Sequence, residues 1–297
     1  MIYLSQFRFP EREQEYDFTM NQKRTCYDTF YPFLVLSKHR LRELDFEPVT
    51  ILYGGNGSGK TTALNVIAEK LGLERDTLYN RSNFFEEYTR LCSCQGNGSG
   101  QGGGQSRRVL RMPKGSRIIT SDDVFDFMLN LRSINDGIDR KREELFEDYL
   151  DTKYSQFTMH SMEDYEQLKK VCLARSNTQS KYVRRNVMDN VREHSNGESA
   201  FLYFTDKIKD NGLYLLDEPE NSLSPLKQQE LLKFLEDSAR FFGCQFIIAT
   251  HSPFLLSMRG ARIYDMDEET VDVKRWTELE SIRTYYDFFK KYEREFE

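Results

Sequence analysis

Eight residues, Gly54-Gly55-Asn56-Gly57-Ser58-Gly59-Lys60-Thr61, constrain this chain more than any other stretch. They fit the spacing G-x-x-x-x-G-K-[ST] and follow the apolar run Val49-Thr50-Ile51-Leu52-Tyr53. Glycines let the backbone curl until successive N–H groups point inward at an anion. Lys60 can then reach β- and γ-phosphates, and the Thr61 hydroxyl can ligate Mg2+. Thr62 to Leu71 reads as a helix whose positive N-terminal end faces the phosphates. Strand, glycine loop and helix in this order predict a nucleotide site.

Two later segments supply the chemistry such a site needs. Leu213-Tyr214-Leu215-Leu216-Asp217-Glu218 reads as a buried strand that delivers two acids to the C-terminal edge of a sheet, where ligands bind in open α/β folds. Asp217 would hold Mg2+ through water and complete the set begun by Thr61. Glu218 would polarise the water that attacks the γ-phosphate. His251, in Thr250-His251-Ser252-Pro253 after the apolar run Gln245 to Ala249, would approach the same phosphate.

The surrounding pattern predicts an α/β fold. Residues 1 to 53 hold short strand-like runs (Ile2 to Phe9, Phe33 to Leu36, Val49 to Tyr53) punctuated by Pro10, Pro32 and Pro48, which suggests a β-rich layer feeding the phosphate-loop strand. From Gly212 onward strands and helices alternate, with a helix from Pro225 to Phe242 and a strand from Ala261 to Met266, as in a parallel sheet covered by helices. Between these parts, Gly96 to Gln105 is a flexible low-complexity loop that imitates glycine spacing without a preceding strand or a closing Lys-Ser/Thr. Arg117 to Thr120 reads as a strand, Ser121-Asp122-Asp123 as the cap of a helix from Val124 to Leu131, and Gly137 to Arg192 as a charged, repeatedly broken helical lobe without coiled-coil heptads. The division expected is a nucleotide-binding core at 1–75 and 200–275, an inserted segment at 76–199 and a helical tail at 276–297.

Composition excludes several classes. A net charge of −6 gives no global basic field for nucleic acid, although local clusters such as Arg107, Arg108, Arg111, Lys114 and Arg117 leave a local surface open. No apolar run approaches the roughly 20 residues a membrane helix needs, and the N-terminus lacks the apolar core of a signal peptide. Five scattered cysteines, with Cys92 and Cys94 too close for the usual zinc pairs, read as reduced thiols of a cytoplasmic protein without a structural metal.

His194-Ser195-Asn196-Gly197-Glu198 resembles the Leu-Ser-Gly-Gly-Gln signature of ABC-class ATPases, and the order of phosphate loop, signature, Asp-Glu strand and switch histidine matches that class. Asp217-Glu218-Pro219-Glu220-Asn221-Ser222-Leu223-Ser224-Pro225 departs from the transporter form Asp-Glu-Pro-Thr-Ser-Ala-Leu-Asp. It is similar to the stand-alone prokaryotic ATPases grouped with SMC, RecF and OLD proteins within the AAA family. The resemblance implies a P-loop fold with an ABC-type head, a mostly parallel sheet, an N-terminal antiparallel β layer and an inserted helical lobe. It also implies ATP and Mg2+ as ligands, ATP hydrolysis as the activity, and an ATP-dependent head-to-tail homodimer in which Ser195, Asn196, Gly197 and Glu198 reach the nucleotide of the other copy. The lobe-linking glutamine of the class has no clear counterpart here; Asp122 is the candidate substitute, ahead of Gln101 and Gln105, and the dimer-loop Asp is replaced by Ser224. DNA transaction, repair or anti-phage defence is the expected setting. An ATP-gated regulatory subunit with a separate effector such as a nuclease is the first alternative, and the ATPase of a membrane transporter the second.

Overall fold

The computed structural model describes residues 1–23, 26–27, 29–96, 110–155, 165–187 and 196–296. The first part of the chain runs β1 (Gln6–Arg8), α1 (Arg12–Met20), β2 (Glu43–Asp45), β3 (Val49–Tyr53), α2 (Lys60–Leu71), α3 (Phe85–Leu91), β4 (Ser93–Gln95) and β5 (Arg117–Thr120). Among the described residues α4 (Ser121–Tyr154), α5 (Tyr165–Ser176), α6 (Gln179–Asn186) and α7 (Asn196–Lys207) follow. The last part is β6 (Leu213–Asp217), α8 (Pro225–Phe241), β7 (Gln245–Ala249), α9 (Pro253–Leu256), β8 (Arg262–Asp265), β9 (Asp272–Lys274) and α10 (Glu280–Lys291).

Every residue of β3, β6 and β7 is buried, which only a strand covered on both faces can achieve. These strands lie in a six-stranded sheet of order β5-β6-β7-β3-β8-β9, parallel throughout except for the last pair. A second, antiparallel sheet of order β2-β1-β4 comes from the N-terminal third of the chain. This is the α/β architecture with a mostly parallel sheet and an antiparallel layer that the sequence leads one to expect. The chain divides into two compact units, residues 1–124 with 196–297 and residues 125–195.

Polar side chains join the segments of the larger unit. Gln245, fully buried on β7, accepts hydrogen bonds from the N–H groups of Tyr3 (2.7 Å) and Leu4 (2.9 Å). Its amide donates to Leu4 O (2.7 Å) and Glu47 O (3.2 Å). That arrangement corrects the expected strand from Ile2 to Phe9: the ladder is confined to Gln6–Arg8 because residues 3 and 4 are bonded to a side chain instead. Phe33 to Leu36 is not a strand either. The buried carboxylate of Glu15 accepts from Leu34 N (2.7 Å) and Ser37 Oγ (2.6 Å), Leu34 is left-handed at φ 62°, and the segment turns into a 3-10 helix at Leu36–His39.

The smaller unit is helical. Its core gathers Tyr149, Ala174, Tyr182 and Val183, with the Tyr149 hydroxyl donating to Asn177 O at 2.9 Å. The expected helix from Val124 to Leu131 is part of a longer one: α4 is continuous from Ser121 to Tyr154, and the breaks expected after Gly137 come beyond it, where α5 and α6 are separate short helices. Ion pairs at helical spacing, Arg140–Asp136 (2.5 Å), Arg142–Asp139 (2.7 Å) and Lys141–Glu144 (2.7 Å), support it through Gly137. Each exposed pair of this kind contributes a few tenths of a kcal/mol. The glycine-rich stretch from Asn97 onward lies outside the described residues.

Replacing Gln245 by Leu removes an acceptor and a donor while keeping the volume, and leaves two N–H groups without partners. The expected outcome is a loss of about 2–4 kcal/mol in urea denaturation; a variant with an unchanged midpoint and slope would show that Gln245 does not anchor the N-terminus.

Candidate nucleotide site

The parallel ladder brings the site together. Asp217 is level with Ala249, Ala249 with Leu52, and Thr120 with Asp217, so β5, β6, β7 and β3 end at one edge. The ladder reaches just beyond the strands: Glu218 N donates to Ala249 O (2.9 Å) and Thr250 N to Leu52 O (3.2 Å). The phosphate loop, the two acids and His251 all lie at or just beyond these strand ends.

Backbone room shapes the loop. A Cβ on Gly54 would lie 2.6 Å from Ser58 Oγ, and Gly59 is left-handed at φ 92°, packed so that a Cβ would meet Leu36 at 3.0 Å. Gly59 opens α2 and Gly72, also left-handed, closes it. Lys60 is buried and donates to the loop's own carbonyls, Gly54 O (2.6 Å) and Gly55 O (2.9 Å). Gly55 N donates to Asp267 Oδ1 at 2.7 Å, and the Tyr31 hydroxyl to Thr62 Oγ1 at 3.2 Å. A cavity of about 320 Å³ is lined by Val35, Asn56, Gly57, Gly59, Lys60, Thr61, Thr62 and Glu218.

Thr61 Oγ1 donates to Asp217 Oδ1 at 3.1 Å. A hydroxyl and a carboxylate side by side are hard oxygen donors of the kind Mg2+ takes, so the residues fit that ion. Glu218 stands at φ 48°, a left-handed backbone uncommon for a side chain of its size. It is held by Asn221, whose Nδ2 donates to Glu218 Oε2 (2.8 Å) and whose N donates to Glu218 O (3.2 Å). The imidazole of His251 is half-exposed, with Nδ1 3.7 Å from Glu220 Oε1.

The remaining sequence candidates fall in different places. Asp122 is exposed. Its neighbour Asp123 is buried, and its Oδ2 accepts from Thr120 N (2.6 Å) and Thr120 Oγ1 (2.9 Å) in a reciprocal cap of α4. Ser195, Gln101 and Gln105 lie outside the described residues. Asn196, Gly197 and Glu198 form the first turn of α7. A Cβ on Gly197 would sit 3.6 Å from Ser222 O, so this turn abuts the loop that follows the Asp-Glu strand. Among the described residues, none of the signature lines the phosphate-loop cavity. Ser224 is the N-cap of α8, its Oγ accepting from Lys227 N at 3.4 Å. Sequence reasoning passed over Asn221 and Glu220; the signal for both was a polar pair where a transporter motif carries Thr-Ser.

Burial pushes the Asp217 carboxyl up to about 6 from an ordinary value of 3.8; the Thr61 bond and Lys60 pull it down, and Glu218 and Glu220 push it further up. The folded chain therefore holds this proton more tightly than the unfolded chain. The resulting stabilisation is fully present below about pH 4 and is lost as pH rises through about 6. Asp217→Asn keeps an acceptor for Thr61 and abolishes the ionisation. Without Mg2+ or nucleotide it is expected to be more stable than the wild type by roughly 2–3 kcal/mol above pH 7, with the difference shrinking toward pH 4. Thermal midpoints across that range check this, and a difference independent of pH would contradict it.

Residues 121–257 match the family described as "AAA domain, putative AbiEii toxin, Type IV TA system", a segment that takes in the Asp-Glu strand and His251. No curated protein matches the chain. Among solved structures, the chain is similar to the SMC head domain with an extended coiled coil, bound to the C-terminal domain of ScpA, from Pyrococcus furiosus. Identity is 13% over 98% of this chain and 99% of that one, with a TM-score of 0.44. The SMC head domain from Thermotoga maritima is 13% identical over 92% and 98%, with a TM-score of 0.39. A dimeric ATP-binding cassette in a post-hydrolysis state with ADP and Pi is 16% identical over 79% and 88%, with a TM-score of 0.37. The phosphate loop, the Asp217–Glu218 strand end and His251 thus follow strands that end at one sheet edge, and the last two of these lie within the 121–257 segment that matches the AAA-domain family.

Proposed function

We propose that the chain is an ATP-hydrolysing molecular switch that dimerises head-to-tail around ATP and acts in the cytoplasm in DNA transaction, repair or anti-phage defence. The observation that carries this reading is the hydrogen bond between Thr61 and Asp217 at the mouth of a cavity walled by the phosphate loop and Glu218. Lys60 and the loop N–H groups would bind the β- and γ-phosphates, while Thr61 and Asp217 would hold Mg2+. The ion supplies charge neutralisation on the phosphates when bound. Glu218, fixed by Asn221, would orient and deprotonate the attacking water, and His251 would face the γ-phosphate from the next strand end.

Placement of the signature turn supports the shared site. Asn196 and Glu198 are exposed at the start of α7, Gly197 lies against Ser222, and none of the three lines the chain's own phosphate cavity among the described residues. An exposed helix start suits the phosphate of a second copy. The toxin–antitoxin wording of the family description supports the defence setting over repair.

Glu218→Gln should keep ATP binding and lower turnover by roughly 10²- to 10⁴-fold, the range for loss of a positioned base. In light scattering with Mg-ATP that variant should double its mass, and Gly197→Arg added to it should return it to a monomer. Unaltered turnover would remove Glu218 from the mechanism, and a mass indifferent to ATP would remove the shared site.

A further inference from the structure

Three consecutive donors leaving β7 meet on one oxygen. Glu220 Oε1 accepts from Thr250 Oγ1 (2.6 Å), His251 N (3.0 Å) and Ser252 N (3.2 Å). Glu220 is buried, at 6% exposure, in the turn after β6, and its Oε2 is also buried, with no hydrogen-bond partner among the described residues. Successive N–H groups converging in this way form an anion-binding concavity, and here a carboxylate from the neighbouring loop fills it.

We propose that Glu220 is a positioning residue for hydrolysis: its single accepting oxygen sets the distance between Glu218 and His251 by clamping the switch loop onto the loop that carries the base. The proposal rests on the ATPase reading above. Glu220 follows Glu218 by two residues, so any shift of its carboxylate moves the backbone of the proposed base. On the other side, the bond to His251 N fixes the point from which the imidazole projects, and the half-exposed ring keeps its Nδ1 3.7 Å from the same Oε1. The clamp has a rigid backing. Ser252 Oγ donates to Gln228 Oε1 (2.7 Å), and Gln228 Nε2 donates to Leu223 O (2.9 Å), which ties the switch loop to α8. Ser252 N also donates to Thr250 Oγ1 at 3.0 Å, so the loop is closed on itself around the carboxylate. Remove the carboxylate and the N–H groups of residues 251 and 252 lose their shared acceptor in a buried site. The loop must then rearrange to find others.

The test compares ATP turnover and ATP binding in the wild type, Glu220→Ala, Glu220→Gln, His251→Ala and the Glu220→Ala/His251→Ala double variant. Glu220→Ala should lower kcat roughly 10- to 100-fold, the cost of a displacement near one ångström, with KM within about threefold. Glu220→Gln retains an accepting oxygen and should recover most of kcat. In the double variant the loss should not exceed that of His251→Ala, because the two residues act as one unit. Unchanged kcat in Glu220→Ala, a glutamine variant as slow as the alanine one, or losses that multiply in the double variant would each overturn the role. If Glu220→Ala does not fold, Glu220→Asp, which withdraws the same carboxylate by one methylene, replaces it, and an undiminished kcat there overturns the proposal equally. A wild-type chain that binds but does not hydrolyse ATP would overturn the ATPase reading itself, which the variants cannot mimic.

Discussion

The bond from Thr61 to Asp217 joins residues 156 positions apart and is the point on which the site depends. It forms only because β3 and β6 lie in one parallel sheet with a single strand, β7, between them. All three strands are buried along their full length, so their ends cannot shift without breaking a packed core. Rigid strands and short exits bring the phosphate loop, the acids and the segment that starts at Thr250 to one edge of the sheet. The proposed phosphoryl transfer would ask the protein mainly for positioning and charge stabilisation, and a sheet edge of this kind suits both.

Asp217, Glu218 and Glu220 lie within four positions, yet their surroundings give them three different characters. Asp217 is buried beside Thr61, and the nearby Glu218 and Glu220 add to the burial that raises its proton affinity. A cation placed there would relieve that crowding. Glu218 sits on a strained left-handed residue, which turns its side chain toward the phosphate loop while Asn221 holds the turn. Such strain persists where the surrounding structure over-determines it, and functional sites are where it gathers. Glu220 turns inward and accepts from the next strand's exit.

A related device recurs away from the site, where buried polar side chains bind backbone that no ladder satisfies. Gln245 takes the N-terminal segment, and Glu15 takes the turn that presents Val35 and Leu36 to the phosphate loop. Burial raises the proton affinity of the Glu15 carboxyl, and the bonds from Ser37 and Leu34 offset part of that rise. Each case ties a segment of irregular backbone to the core by one side chain, because buried N–H groups must find acceptors.

How far the residues spoke for themselves follows from the range of each interaction. The phosphate loop, the apolar strands with acids at their ends and the alternation of strand and helix after Gly212 were legible, since glycine spacing and runs of buried residues are local properties. The same holds for Pro225 in the first turn of α8, whereas Ser224 as its N-cap emerges only in the structure. Illegible were the unbroken course of α4, which depends on ion pairs along an exposed face, and the loss of the Phe33 strand to a carboxylate 19 residues away. Nor could sequence tell that Asp123 rather than Asp122 is buried at the end of β5, or that Glu220 reaches across to residue 251. The sequence by itself determined a nucleotide loop and the sheet that carries it. Only the tertiary structure decided which carboxylate faces which donor, because those choices rest on contacts between strands that the chain order keeps far apart.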